Sequence, residues 1–403
     1  MVACGDTQSP EPPAPQTDLE RGAAYVDNID YRRAALEQSI VNSENSYSAL
    51  RLANYGVRQD GWDDLSVWNP PVAPLIREGD GVAVPQEFEA VFEPVEWTSE
   101  ALLTLGQRAF ETYPTQMSAS FEHAAQSPRY SERYGLWQDD RDRIGGLVHV
   151  QFADGRTETA LTCSTCHAST SETGQLLRGR VNPHINIGLL NADRGGSPEN
   201  VARLDAWGPG RLDVTNDGID NPTAIGDLRS IRHQSHLHSA ATLHNDLIAL
   251  AIRVETLIIT SLGRVARPPR EVSFAIAWYL WNLEAPAVNT TGDERGAEFF
   301  AQNCSTCHRV DGSTSAPVPL ELIGTDDAVG ISDARGTGTW RVPSLWGVST
   351  RSQLLHTASV SSVEQLLDPA RLAATPGHVF GTHLNAEERA ALVVFVSTIG
   401  SAP

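Results

Sequence analysis

The pentapeptide Cys-Ser-Thr-Cys-His occurs twice, at Cys163–His167 and Cys304–His308, and takes four of the chain's five cysteines. Two identical loci of reactive side chains need two equivalent surroundings, so the chain is expected to fold as a duplicated module. The cysteines are not the scattered, even set of a disulfide scaffold. A structural zinc site would need two more ligands in similar pairing, and a thioredoxin-like pair would need a βαβ context. Neither is found along the sequence.

The spacing fits covalent haem attachment. Two thiols one helical turn apart can add to the two vinyl groups on one porphyrin edge. The histidine that follows then lies beneath the iron. The sequence therefore predicts two covalently bound haem c groups, on Cys163, Cys166 and His167 and on Cys304, Cys307 and His308.

Laying one CSTCH on the other exposes the rest of the repeat. Gly106 and Phe110 precede the first pentapeptide in "LGQRAF", and Gly296 and Phe300 precede the second in "RGAEFF". A glycine lets another helix approach closely, and a phenylalanine one turn later fills the crossing. Downstream, "LHSAAT" (237–242) aligns with "LHTASV" (355–360). Each copy closes with a helical stretch, "PPREVSFAIAWYLWNL" (268–283) or "NAEERAALVVFVSTIG" (385–400). The second of these opens with a capping-box spacing, Asn385 to Glu388.

The expected architecture is mainly α, with two tandem cytochrome c-like helical haem modules behind an N-terminal helical and irregular segment. The boundaries are a tether over 1–20, a packing segment over 21–96, a first haem domain over 97–285 with an insertion at 111–162, and a second haem domain over 286–403. In the packing segment, Tyr31–Gly56 has helical spacing, and "WNPPVAPLI" (68–76) cannot continue a helix through its prolines.

Composition narrows the function classes. The formal net charge of −20 disfavours nucleic acid and suits a basic redox partner protein. A membrane-spanning helix needs about 18 apolar residues, whereas the longest apolar run, Leu247–Thr260, is broken by Arg253 and Glu255. The start, "VAC" then Gly5, matches the end of a lipoprotein signal with Cys4 as the acylated residue. A Pro-rich polar tether follows it. Haem attachment of this kind takes place outside the bacterial cytoplasm. The expectation is an exported protein, in the periplasm or on the outer cell surface, tethered to a membrane through Cys4.

Function then turns on the sixth position of each iron. Only Met1 and Met117 are present and neither follows a CSTCH, which argues against His/Met ligation. Candidate histidines for the second haem are His356, His378 and His383. For the first they are His184, His233, His236, His238 and His244, with His123 and His149 upstream. Trp278, Trp281, Trp340 and Trp346 are candidates for an aromatic relay between the haems.

The region 97–403 resembles the bacterial di-haem cytochrome c peroxidase superfamily, which includes the enzyme that matures methylamine dehydrogenase and, more distantly, the di-haem rubber oxygenases. The resemblance rests on the two CxxCH motifs, the run "VPSLWGV…LLHTASV…LLDPARL" (342–372) and the closing "PGHVFGTHLNAEERAALVVFV" (376–396). It implies His167 and His308 as proximal ligands and His378 as the distal ligand of the second haem. It makes His356 a pocket-lining residue and gives His184 the position of a removable ligand on the first haem. Overlaying the repeat on itself puts the counterpart of His378 near Thr260–Leu262, where nothing ligates iron. The first haem is then open, or closed by His184 or by a member of the 233–244 cluster, with His238 foremost. Two functions remain: a peroxidase-like oxidoreductase acting on hydrogen peroxide or oxygen at the first haem, or a non-catalytic di-haem electron-transfer lipoprotein.

Overall fold

The computed structural model describes residues 17–215, 220–283 and 293–399; Cys4 and residues 1–16 of the expected tether lie outside them, as does most of the linker at 284–294, while residues 18–20 of that expected tether already belong to the first helix. Three helices open the described chain: α1 (Asp18–Asp27), α2 (Ile29–Ser39) and α3 (Ser46–Asn54). The helical spacing over Tyr31–Gly56 is thus two helices rather than one. Asn45 restarts the chain by accepting a hydrogen bond from the Ser48 amide, and Gly56 ends it at φ 71°. Tyr25, Leu36, Tyr47 and Tyr55 point into the core.

A buried polar network fastens these helices to α6 (Leu247–Ser261) and α7 (Arg270–Trp281). Glu255 is fully buried and accepts hydrogen bonds from the hydroxyls of Tyr25 (2.6 Å) and Tyr55 (2.7 Å). Arg270 lies 3.2 Å from it and also pairs with Asp63, which binds Arg32 as well. Each of these buried charges faces an opposite one, which is the condition under which burial is tolerated. The interruption of the apolar run at Glu255 is therefore a buried anchor. Among the described residues no helix is long and apolar enough to cross a membrane.

The "WNPPVAPLI" stretch becomes a strand, β1 (Pro71–Glu78). It pairs antiparallel with β2 (Arg143–Gln151), which pairs in turn with β3 (Thr157–Leu161). Pro71 opens the strand and Pro74 sits at a register shift, the two places where a sheet accepts a missing amide donor. The short strands at 81–82, 89–90 and 116–117 complete a six-stranded sheet. The expected packing segment and the expected insertion are thus halves of one sheet. The chain is helix-rich, but it carries this sheet and several two-stranded ones that a mainly α reading did not include.

Two helix crossings share one geometry. α4 (Ser99–Thr112) crosses α7 at Gly106, where an added Cβ would fall on the Ala275 carbonyl and on Tyr279. α8 (Glu294–Asn303) crosses α9 (Ala386–Val396) at Gly296, where it would fall on the Ala391 carbonyl and on Phe395. One turn later the aromatic pairs match: Phe110 on Tyr279 at 5.7 Å and 51°, Phe300 on Phe395 at 5.4 Å and 54°. α9 begins with the capping box read from Asn385 and Glu388.

Candidate haem sites

The first pentapeptide is itself a short helix, α5 (Cys163–His167), started by a box in which Thr162 and Thr165 exchange hydrogen bonds. The second follows the end of α8 directly and turns helically, with the His308 amide bonded to the Cys304 carbonyl at 2.9 Å. In both, one helical turn separates the thiols. All four are free and half-buried. Burial pushes Cys163 and Cys166 up to about 12 and Cys304 up to about 11. Protein surrounds them without pairing them.

Behind each histidine stands a backbone carbonyl. The Nδ1 of His167 lies 2.9 Å from the Gly226 oxygen. A carbonyl only accepts, so Nδ1 carries the proton and Nε2 presents its lone pair to the other side, as an iron ligand must. The Pro343 carbonyl lies near His308 without making that hydrogen bond, and burial and the nearby His378 together push His308 down to about 4. His378 is itself pushed down to about 4 by burial. It sits at φ 46°, with its amide on the Ile323 carbonyl (2.6 Å) and its own carbonyl on Arg371 (2.8 Å). Arg371 also holds the carbonyls of Thr375 and Gly377, so one guanidinium fixes the whole turn that carries His378. The Nδ1 atoms of both His308 and His378 are buried without a hydrogen-bond partner. Free thiols and two neighbouring imidazoles with unpartnered Nδ1 atoms fit an iron porphyrin at the second site; free thiols and a tautomer-fixed imidazole fit one at the first.

After the pentapeptides the two units run in parallel, but one residue away from the sequence overlay. The 3-10 turn Ile231–His233 matches Val348–Thr350, the pairing of Leu237 with Leu243 matches that of Leu354 with Val360, and left-handed His238 and Ala241 match left-handed Leu355 and Ala358. Gly226 and Pro343 obey the same spacing. His238 therefore corresponds to Leu355, and His356 to Ser239. Aligning letter on letter placed the two histidines together, whereas the backbone puts them on different sides of the chain.

The candidate histidines separate accordingly. His184 is exposed on a loop over Gly135. His123 stacks on Tyr130 at 4.5 Å beside a cavity of about 290 Å³ lined by Tyr134 and Asp193, away from both pentapeptides. His149 lies in β2, and Met117 packs against the main core. His236 and His244 face each other at 4.6 Å, and His383 is exposed. His356 stacks flat on Trp340 at 4.0 Å. His238 is the candidate coupled to the first pentapeptide, because its Nε2 accepts from the Nε of Arg253 at 2.6 Å and the charge of Arg253 acts on both Cys163 and His167.

The units meet through a reciprocal clasp. Arg229 donates to the Thr350 hydroxyl (3.0 Å) while Arg351 donates to the Ser230 hydroxyl (3.0 Å). Asp227, next to the carbonyl that supports His167, pairs with Arg229. Burial would raise Asp227, but Arg351 and Arg229 hold it below the usual carboxylate range. Between them the ring of His233 meets Trp346 edge-on at 4.1 Å. Of the candidate relay tryptophans, Trp346 stands at this seam; Trp278 stacks on Phe274, and Trp281 packs against the main core. The sequence reading missed Asp227, Arg229, Arg351 and Arg253. Of these only Arg253 left a signal, as a charge inside an apolar helix.

Residues 294–400 match the family described as Cytochrome c, so the chain contains a cytochrome c domain, which implies covalent haem c; Cys304, Cys307 and His308 lie within the matched residues. A solved structure described as a MauG-like protein associated with microbial copper homeostasis is similar over 48% of this chain and 79% of that one, at 16% identity and a TM-score of 0.35. No curated protein matches the chain.

Proposed function

We propose that the protein is an exported di-haem c-type cytochrome of the peroxidase kind, with haem c on both pentapeptides. When bound, the haems supply one-electron chemistry, with electrons entering at the second and reaching hydrogen peroxide or oxygen at the first. The observation that carries this reading is the asymmetry between the sites. His308 has His378 near enough for their charges to interact, whereas the surroundings of His167 offer His238 already engaged by Arg253.

The residues divide the work. His308 and His378 would hold the iron of the second haem, and a haem with two protein ligands suits electron transfer rather than ligand exchange. His167, fixed by the Gly226 carbonyl, presents Nε2 to the first iron from one side. Asp227 reinforces the proton on Nδ1 through its nearby charge. His238 and Arg253 are the polar groups that would meet a bound peroxide or oxygen on the remaining side, and His184 is too exposed to serve without movement of its loop. His233 and Trp346 lie along the seam that electrons would cross. The acidic surface suits a basic electron donor, and acylation at Cys4 would keep the protein at a membrane surface.

Paramagnetic resonance of the oxidised protein tests the reading. One high-spin and one low-spin haem are expected, with cyanide converting the high-spin signal. His378→Ala should make the second haem high-spin and leave the first as it was. Two low-spin haems that ignore cyanide would leave the alternative, a lipid-anchored electron carrier.

A further inference from the structure

Arginines inside this molecule fall into three kinds, one of which, Arg77 and Arg371, directs its donors to backbone carbonyls and to Ser131. Arg32, Arg270 and Arg229 each meet a carboxylate. Arg51, Arg253, Arg335 and Arg341 do not: among the described residues none of the four is in an ion pair, although Arg51 and Arg335 are 5% and 9% exposed. They come from three parts of the chain, α3, α6 and the second unit, and converge on Tyr47 and His238. The guanidinium carbon of Arg51 lies 3.5 Å from the Tyr47 ring centre, that of Arg335 at 4.8 Å and that of Arg253 at 5.9 Å. His238 meets the same ring edge-on at 5.1 Å.

Donors in this cluster are left over. Nη1 of Arg253, Nε of Arg341, the Tyr47 hydroxyl and Nδ1 of His238 are all buried without a hydrogen-bond partner. Asp213, whose charge acts on Arg335, already accepts from Thr215 and from the Asn221 amide. Burial and mutual repulsion push Arg335 down to about 9, and burial pushes Arg341 and Arg51 down to about 10. Burial alone would raise the Tyr47 phenol, yet the arginines bring it down. A guanidinium group in an interior with donors unsatisfied carries a large desolvation cost, which a bound anion would offset. Arg253 links the cluster to the first pentapeptide, since its charge reaches Cys163 and His167.

We propose that Arg51, Arg253, Arg335 and Arg341, with the Tyr47 hydroxyl, form a buried anion site beside Cys163–His167, and that it takes the carboxylates of the porphyrin attached there. The inference rests on haem attachment at Cys163 and Cys166. It gives the N-terminal segment a role beyond packing, because Arg51 and Tyr47 complete a site whose other members belong to the two haem-bearing units. A guanidinium fork matches a carboxylate with two parallel hydrogen bonds, which an ammonium cannot reproduce. The same chemistry would accept a free carboxylate or oxyanion.

The test uses purified holoprotein of the wild type and of Arg51→Gln, Arg335→Gln and Arg335→Lys. A pyridine haemochrome count of two haems per chain is expected throughout; one haem per chain in the wild type, with Cys163 and Cys166 unmodified, overturns the haem reading itself. With two present, resonance Raman should show the carboxylate-bending band of one haem shifted in both Gln variants. The reduction potential of that haem should fall and the other stay put. Arg335→Lys should restore the potential but not the band. Bands and potentials indistinguishable from wild type overturn the proposal. If the bands stay fixed while acetate or phosphate raises the wild-type melting temperature saturably, and Arg335→Lys loses that response, the site binds a free anion and the porphyrin assignment is overturned. That last arm does not need either Gln variant to fold.

Discussion

The two CSTCH units differ less in their local chemistry than in what surrounds them. The same glycine-directed crossing and the same helical turn of thiols occur at both, whereas the carbonyl behind the histidine is hydrogen-bonded at His167 and not at His308. The second unit adds little beyond short turns and closes its site with His378, on a loop held by one arginine. The first unit packs with a six-stranded sheet and with helices α1 to α3, and Arg51 of α3 joins Arg253 of α6 on the Tyr47 ring. Duplication thus conserves the thiol-and-histidine turn and leaves the far side of each histidine to whatever segment packs there.

Removing the thiols breaks the comparison most severely. Replacing Cys163 and Cys166 by Ala, or Cys304 and Cys307, should halve the covalent haem per chain in either case, read by mass and haemochrome absorbance. Next come the crossings. Gly106→Ala and Gly296→Ala each drive a methyl into a partner carbonyl. Each should cost about 2–3 kcal/mol in urea unfolding, the upper range for overpacking. Equal costs would mean that the crossings are equivalent despite their surroundings, and a much smaller cost at Gly106 would mean that the sheet lets α4 shift.

A pH experiment sharpens the difference that the shifted register makes. Burial pushes His356 down to about 4 in the folded protein, against about 6.5 unfolded. The unfolded chain then binds the extra proton between those values, so the contribution is full above pH 6.5 and is lost as pH falls toward 4. The loss should approach about 1.4 kcal/mol per pH unit within that window. His356→Gln should flatten this slope, whereas Ser239, its counterpart in the first unit, has no titration to remove. The smallest effect belongs to the clasp. Thr350→Val removes one acceptor from Arg229 and should cost about 1 kcal/mol in thermal unfolding without altering haem content.

What could be read from the sequence was whatever had a fixed spacing. The pentapeptides, the Gly-x-x-x-Phe pairs and the Asn385 capping box depend on residues within a turn or two of each other, and they stand where expected. The sheet was hidden because β1 reads as a proline-broken run and its partner β2 lies some seventy residues away. The offset between His238 and His356 was hidden for a different reason. Identical letters favoured one alignment, and the left-handed turns that fix the true one carry His and Ala in one copy and Leu and Ala in the other. The arginine cluster draws on residues 51, 253, 335 and 341, and no local pattern links positions that far apart.

The crossed hydrogen bonds of Arg229 with Thr350 and Arg351 with Ser230 span the seam in both directions. A shear that relieved one would stretch the other, so the halves are not free to slide. Tunnelling between two centres depends steeply on the gap separating them, and this seam sets that gap once, at folding. Transfer within the molecule would then run at a constant rate, and any regulation would have to fall on the arrival of donor or oxidant.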